Sequence, residues 1–204
     1  MVRQAFLLEW LTIIWMVVEM AIALWAGVTA HSVSLIAFGV DSCIELASAG
    51  VLLWRLTVEI KQGQDFSEAA EATASRIAGA LLFALAAYVV ASAGWSLWSR
   101  EGAEFSWPGF VVTVTAIPAM ALLARRKLRV AEALGSRALR ADAMESITCG
   151  YLSVVVVTGL LAQAVTGAWW VDGVTSLAIV WLLVKEGREA WQGEECSCMK
   201  HETK

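Results

Sequence analysis

One apolar stretch of the chain carries two acids that a lipid-facing helix would not tolerate. Residues 31–48 read HSVSLIAFGVDSCIELAS, which is apolar enough to lie in a membrane, yet the stretch contains Asp41 and Glu45. Positions i and i+4 share one face of a helix, and a carboxylate pair exposed to hydrocarbon would be very costly. We therefore expect the pair to face a cation, a water-filled cavity or a partner helix.

The composition of the whole chain favours a membrane protein. The 204 residues are 59% hydrophobic and 17% charged, with a mean hydropathy of +0.67, whereas soluble domains carry about 25% charged residues. The charges are clustered and leave long runs nearly free of them, which is typical of a polytopic helical protein. We predict an all-α, multi-pass membrane protein with the lipid bilayer as a partner and no nucleic acid partner.

The apolar runs predict one domain of six transmembrane helices over residues 1–190. A polar loop over residues 57–75, either irregular or partly helical, follows the second helix, and a short tail over residues 191–204 carries Cys and His. The predicted helices are about 5–30, 33–56, 76–97, 108–124, 139–165 and 173–187.

The distribution of basic residues predicts the orientation. With the N-terminus inside, the inner segments hold every Lys and Arg except Arg100. This bias places both termini in the cytoplasm, and we expect the plasma (inner) membrane. The basic cluster Arg125–Arg129 is then interpreted as an inner-loop topology determinant that contacts anionic lipid.

The start of the fifth helix carries a second polar stripe. Asp142, Glu145 and Cys149 fall at i, i+3 and i+7, which is one helix face. Helices 2 and 5 thus each offer a pair of candidate metal ligands spaced i, i+4, namely Asp41 with Glu45 and Glu145 with Cys149. Brought face to face, these four side chains could form a near-tetrahedral cage, the geometry that zinc favours.

The second helix resembles that of the cation diffusion facilitator family of divalent-metal transporters. The family pattern is similar to S-x-A-L-L-A-D-A-x-H-S-x-x-D, and residues 32–45 of this chain read SVSLIAFGVDSCIE. Asp41 falls where the family commonly has His or Asp, and Glu45 falls where it has Asp.

The resemblance extends over essentially all six spans. The family's fifth helix reads like A-D-A-x-H-x-x-x-D, and residues 141–149 read ADAMESITC, so Glu145 matches the His position and Cys149 the Asp position. The openings of the third helix at Arg76 and of the sixth helix at Asp172 are also similar to the family.

The resemblance implies a cation-diffusion-facilitator-like bundle that moves a divalent cation by alternating access. The cation would be exchanged for protons at a site between helices 2 and 5. Family members often carry a cytoplasmic C-terminal domain that helps them to dimerise. This chain stops shortly after helix 6, so we expect the transmembrane domain only, and a homodimer held by the helices or the loops.

The composition of the expected site bears on the choice of ion. Three carboxylates and a thiol, without His, combine ligands for harder ions such as manganese with one that favours zinc or another thiophilic ion. We expect zinc as the transported cation, with manganese, iron or another divalent ion as alternatives. No resident cofactor is expected.

Each site residue also has a structural alternative. Asp41, Glu45 and Glu145 could be polar contacts between helices, and Cys149 could be a small packing residue, because free Cys is commonly buried. These alternatives stay open beside the metal site.

Secondary candidates lie outside the four-residue set. Glu19 is in mid-span and is either a proton carrier or a partner of another helix. Asp142 is either an entrance acid or an acid favoured by the positive end of helix 5, and we prefer the second interpretation. Asp172 is interpreted as the N-cap of helix 6. The tail is either a disordered end or a capture segment for a soft ion, with the candidate ligands Cys196, Cys198 and His201.

The sequence also bears on functions other than transport. We expect no enzymatic activity, because the chain has no nucleophile elbow, no His-Glu-x-x-His and no phosphate-binding glycine loop. The alternative function is that of a membrane metal sensor or interaction protein that binds an ion without transporting it.

Overall fold

The computed structural model describes residues 2–62, 68–100, 102–134 and 137–192. These residues form six helices and no strand, which confirms the predicted all-α class. The helices are α1 (Val2–Thr29), α2 (Val33–Gln62), α3 (Glu68–Ser99), α4 (Trp107–Leu134), α5 (Arg137–Thr166) and α6 (Val171–Gln192). The tail candidates Cys196, Cys198 and His201 lie outside the described residues.

The helices extend beyond the predicted spans at their polar ends. α2 continues to Gln62 and α3 begins at Glu68, so most of the predicted loop over residues 57–75 is helical. α4 likewise includes Arg125–Arg129, which we had placed in a loop. Hydropathy marks the part of a helix that lies in lipid, whereas Ala, Glu, Lys and Arg are strong helix formers in water as well. Both loop predictions are corrected on this ground.

Five of the described helices are long and apolar enough to cross a membrane. They are α1 to α5, with candidate spans of 19 to 27 residues. The sixth described helix, α6, also packs in the bundle. It is not apolar enough over a sufficient length to be a candidate span. Its last two turns carry Lys185, Glu186, Arg188 and Glu189, so its apolar part is shorter than the roughly 20 residues that a full span needs. A sixth span therefore stays a prediction.

α2 is the central helix of the bundle. It contacts α1, α3, α5 and α6, while α4 packs against α1 and α5, and α3 packs against α6. At the crossing of α1 and α2, a Cβ added at Gly39 would lie 2.8 Å from a side-chain carbon of Leu24. Gly39 therefore lets the two helices approach closely, as small residues do in membrane bundles. Polar side chains of α2 are consequently surrounded by four other helices.

A tight turn connects α1 to α2. His31 has φ of 51°, and the Ser32 N–H donates to the Gly27 carbonyl at 2.9 Å. This is the pattern of a Schellman motif, with His31 at the position that glycine usually takes. Ser32 then caps α2, because its hydroxyl accepts from the Leu35 N–H at 3.3 Å.

Asp172 fixes the start of α2 and is not the N-cap of α6. It lies inside α6, one residue after the helix begins at Val171. Its buried carboxylate accepts from the Ser32 hydroxyl at 2.6 Å, the Ser34 hydroxyl at 2.5 Å and the Val33 N–H at 2.8 Å. The interpretation as a cap of its own helix is therefore wrong, and Asp172 instead ties α6 to the first turn of α2.

Replacing Asp172 by Asn should destabilise the protein by about 1–3 kcal/mol. The amide nitrogen of Asn cannot accept a hydrogen bond, so a buried donor at the start of α2 would lose its partner. Unfolding by SDS in detergent micelles measures the loss. Glu104→Gln, which changes an exposed acid in the loop between α3 and α4, is the matched control and should change stability little. Equal stability of the two variants would contradict this role of Asp172.

Candidate metal site

Asp41 and Glu45 lie in the middle of the bundle, as expected from their position on α2. Their side chains are 0% and 5% exposed, respectively. All four of their carboxylate oxygens are buried without a hydrogen-bond partner. Buried polar groups in folded proteins almost always have such a partner. These four oxygens therefore have a hydrogen-bonding capacity that the described residues do not satisfy.

Glu19 of α1 lies in the same region and is bonded to three helices. It is fully buried and accepts from Trp15 Nε1 at 2.6 Å and from the Ser42 hydroxyl of α2 at 2.8 Å. The Cys149 thiol of α5 donates to Glu19 Oε1 at 3.6 Å. Of the two interpretations given for Glu19, these bonds support the contact with partner helices. They do not test a role as a proton carrier.

α5 brings the second predicted pair towards the first. Cys149 is fully buried and Glu145 is partly buried. Cys149 interacts electrostatically with Glu45, Glu19 and Asp41, and Glu145 interacts with Asp41. The two predicted pairs are therefore close enough to interact electrostatically across α2 and α5, which contact each other directly.

Glu186 of α6 belongs to the same region, and the sequence analysis missed it. It interacts electrostatically with Asp41 and Glu145 and with Glu45, and its Oε2 atom is buried without a hydrogen-bond partner. Glu186 was overlooked because an acid is unremarkable in the charged end of α6. Helical periodicity gives a signal, because residue 186 lies fourteen positions after Asp172, close to four turns, and so on nearly the same helix face.

We call these side chains the carboxylate cluster. Its members are Glu19, Asp41, Glu45, Glu145, Cys149 and Glu186. Within the described residues, no three His, Cys, Asp or Glu side chains lie close enough to form a preassembled metal site. Like charges repel at short range in a medium of low dielectric, which disfavours a closer arrangement of the ionised carboxylates.

A separate group of charges lies where α1, α4 and α5 meet. Lys127 is fully buried and donates to Asp142 Oδ2, and its Nζ atom lies 3.5 Å from Glu9 Oε2. We call these three residues the ion triad. Lys127 is therefore not a lipid-contacting member of the basic cluster. Asp142 is not an acid of the helix start either, because the first turn of α5 contains no acid. Both interpretations are wrong, because Lys127 and Asp142 pair with each other in the interior of the bundle.

Comparisons with known proteins identify the family of the chain. Residues 10–191 match the protein family described as the cation efflux transmembrane domain. A protein of Synechocystis sp. named an uncharacterized transporter is 29% identical over 164 residues, which are 78% of this chain and 53% of that protein. The chain thus spans about half the length of the curated relative that it matches. Because the family match covers nearly all of the six helices, the chain belongs to the cation efflux transmembrane domain family.

Proposed function

We propose that the chain is a divalent-cation transporter whose ion binds among Asp41, Glu45, Glu145 and Cys149. One observation carries this proposal, namely that both carboxylates of α2 are buried in the bundle without a hydrogen-bond partner. Acids within membrane helices are rare and mark ion pathways. A purely structural acid is expected to be bonded as Asp172 is, with a donor for its oxygens. A divalent cation supplies what the α2 carboxylates lack.

The proposed transport cycle exchanges the cation for protons. A cation and protons are alternative ways to neutralise the same buried carboxylates, and metal binding to such ligands displaces protons. The mixed oxygen and sulfur ligands suit a zinc-like ion, with manganese or iron as alternatives. Alternating exposure of the site to the two sides of the membrane would then couple the two fluxes. The family membership and the name of the relative support cation transport in general.

The cytoplasmic location of both termini, the plasma membrane and a homodimer are part of the same proposal. They rest on the positions of Lys and Arg in the sequence and on the resemblance to dimeric transporters. The absence of enzymatic activity also stays a prediction, although the matched family is one of transporters.

Flux into proteoliposomes tests the proposal. An Asp41→Ala, Glu145→Ala double variant should lose Zn²⁺ and Mn²⁺ uptake, falling to the level of protein-free vesicles that contain a fluorescent chelator. The double variant Glu132→Ala, Glu189→Ala removes two exposed acids and should retain uptake. Unchanged uptake by the first variant would refute the site. Ion binding by the wild-type protein without uptake would favour a sensor.

A further inference from the structure

We propose that Glu186 is a further cation-binding carboxylate, through which α6 joins α2 and α5 at the site. This inference rests on the proposed function, which places the ion among the ligands of α2 and α5 only. It adds a residue from a third helix. The observations that carry it are the surroundings of Glu186, the unsatisfied oxygens around it and the contrast with Glu189 on the same helix.

The surroundings of Glu186 are mainly acidic, with Lys185 as the one basic group among the described residues that acts on it. α6 contacts both α2 and α5, and Glu186 is close enough to Asp41, Glu45 and Glu145 for electrostatic interaction. Asp41 and Glu45 are more than nine-tenths buried and have no hydrogen-bond partner for either oxygen. Glu186 Oε2 is also buried and unpartnered. Placing a further ionised carboxylate against two unsatisfied ones is unfavourable unless protons or a shared cation neutralise them.

Glu189 shows what an ordinary acid of this helix looks like. It lies three residues further along α6, is 54% exposed at its side chain and has the Lys185 ammonium 3.9 Å away, in the i, i+4 spacing of a surface pair. Glu186 is instead only partly exposed, and its Oε2 atom is buried without a hydrogen-bond partner. Two acids on one turn of the same helix thus have opposite environments, and only Glu186 has the environment of an ion ligand.

The position of Glu186 along the bundle suggests its part in binding. It is about 21 Å from Asp172 along α6, at 1.5 Å per residue, and Asp172 marks the end of the bundle at the turn between α1 and α2. Glu186 therefore lies towards the opposite end, which the basic residues predict to be cytoplasmic. Glu186 shares its partial exposure with Glu145, so an ion arriving from that end would meet these two carboxylates before the fully buried Asp41.

Binding of Zn²⁺ to the purified protein in detergent, measured by isothermal titration calorimetry, tests the inference. Glu186→Gln removes the charge with little change in volume and should raise the Kd at least about tenfold, as the loss of supporting groups at metal sites does. Glu189→Gln is the matched control on the same helix and should leave the Kd within about twofold, because an exposed pair contributes little. Glu186→Asp, which keeps the carboxylate on a shorter side chain, should give a Kd between those of the wild type and Glu186→Gln.

The outcomes separate this inference from the proposed function. If the wild-type protein binds Zn²⁺, Asp41→Asn abolishes binding and Glu186→Gln binds like the wild type, the site stands and the role of Glu186 is refuted. If the wild-type protein binds neither Zn²⁺ nor Mn²⁺, the proposed function itself fails. A weakened Kd in Glu186→Gln that Glu186→Asp partly restores supports a ligand, because loss of packing alone would be worse in the shorter variant.

Discussion

Replacing Lys127 by methionine is expected to destabilise the protein by about 3–5 kcal/mol, the cost of leaving a buried charge without its partner. Lys127 is the cation of the ion triad, and its side chain is 0% exposed. Without it, the carboxylates of Glu9 and Asp142 would lie near each other where α1 and α5 pack against α4, with no positive charge between them. Methionine keeps most of the volume of lysine, so the expected loss reports the charge and not a cavity.

Two variants make this prediction specific. Arg126→Met removes a neighbouring charge from the exposed face of α4 and should change stability by less than about 0.5 kcal/mol, as is usual for surface substitutions. The triple variant Glu9→Gln, Lys127→Met, Asp142→Asn removes the whole triad and should recover most of the stability lost by Lys127→Met, because no buried charge is left unpaired. Unfolding by SDS in micelles measures all three. Equal losses for Lys127→Met and Arg126→Met would contradict the buried pairing.

The burial of an acid inside the bundle could be predicted where its local context is anomalous. Asp41 and Glu45 lie in an otherwise apolar run, so their need for a polar environment follows from the cost of charge in hydrocarbon. The structure buries both in the middle of the bundle. The all-α class followed from the same hydropathy argument, because the apolar runs of α1 to α5 are long enough to form spans.

The residues that the sequence analysis missed depend on pairings between distant parts of the chain. Lys127 meets Asp142 from another helix, and nothing in the cluster Arg125–Arg129 shows that this residue alone turns inward. Asp172 bonds to the start of α2, 138 to 140 residues away along the chain. Glu186 is hidden among other charges at the end of α6. Local patterns report the preference of a helix for lipid or water, whereas these roles are set by which helices become neighbours.

Replacing Asp41 by Asn is expected to abolish cation flux and at the same time to stabilise the protein in the absence of metal. The substitution removes a charge and retains the volume of the side chain. Asp41 has no hydrogen-bond partner, and it interacts repulsively with Glu19, Glu45 and Glu186. Relief of an unsatisfied, repelled acid should raise the free energy of unfolding by about 1–3 kcal/mol. Proteins are commonly less stable than variants in which a functional site has been inactivated.

Zinc should reverse the order of stability. At a free concentration of 1,000 times its Kd, a ligand stabilises a protein by about 4.1 kcal/mol, so Zn²⁺ should raise the stability of the wild type above that of Asp41→Asn, which it should leave unchanged. Asp172→Asn makes the same chemical change at an acid that is satisfied by three hydrogen bonds. It should lose stability without metal and keep the stabilisation by Zn²⁺. If Asp41→Asn instead loses stability without metal, as Asp172→Asn should, Asp41 is a structural contact between helices. Opposite signs of the change in the free energy of unfolding would therefore identify Asp172 as a structural contact and Asp41 as a cation ligand.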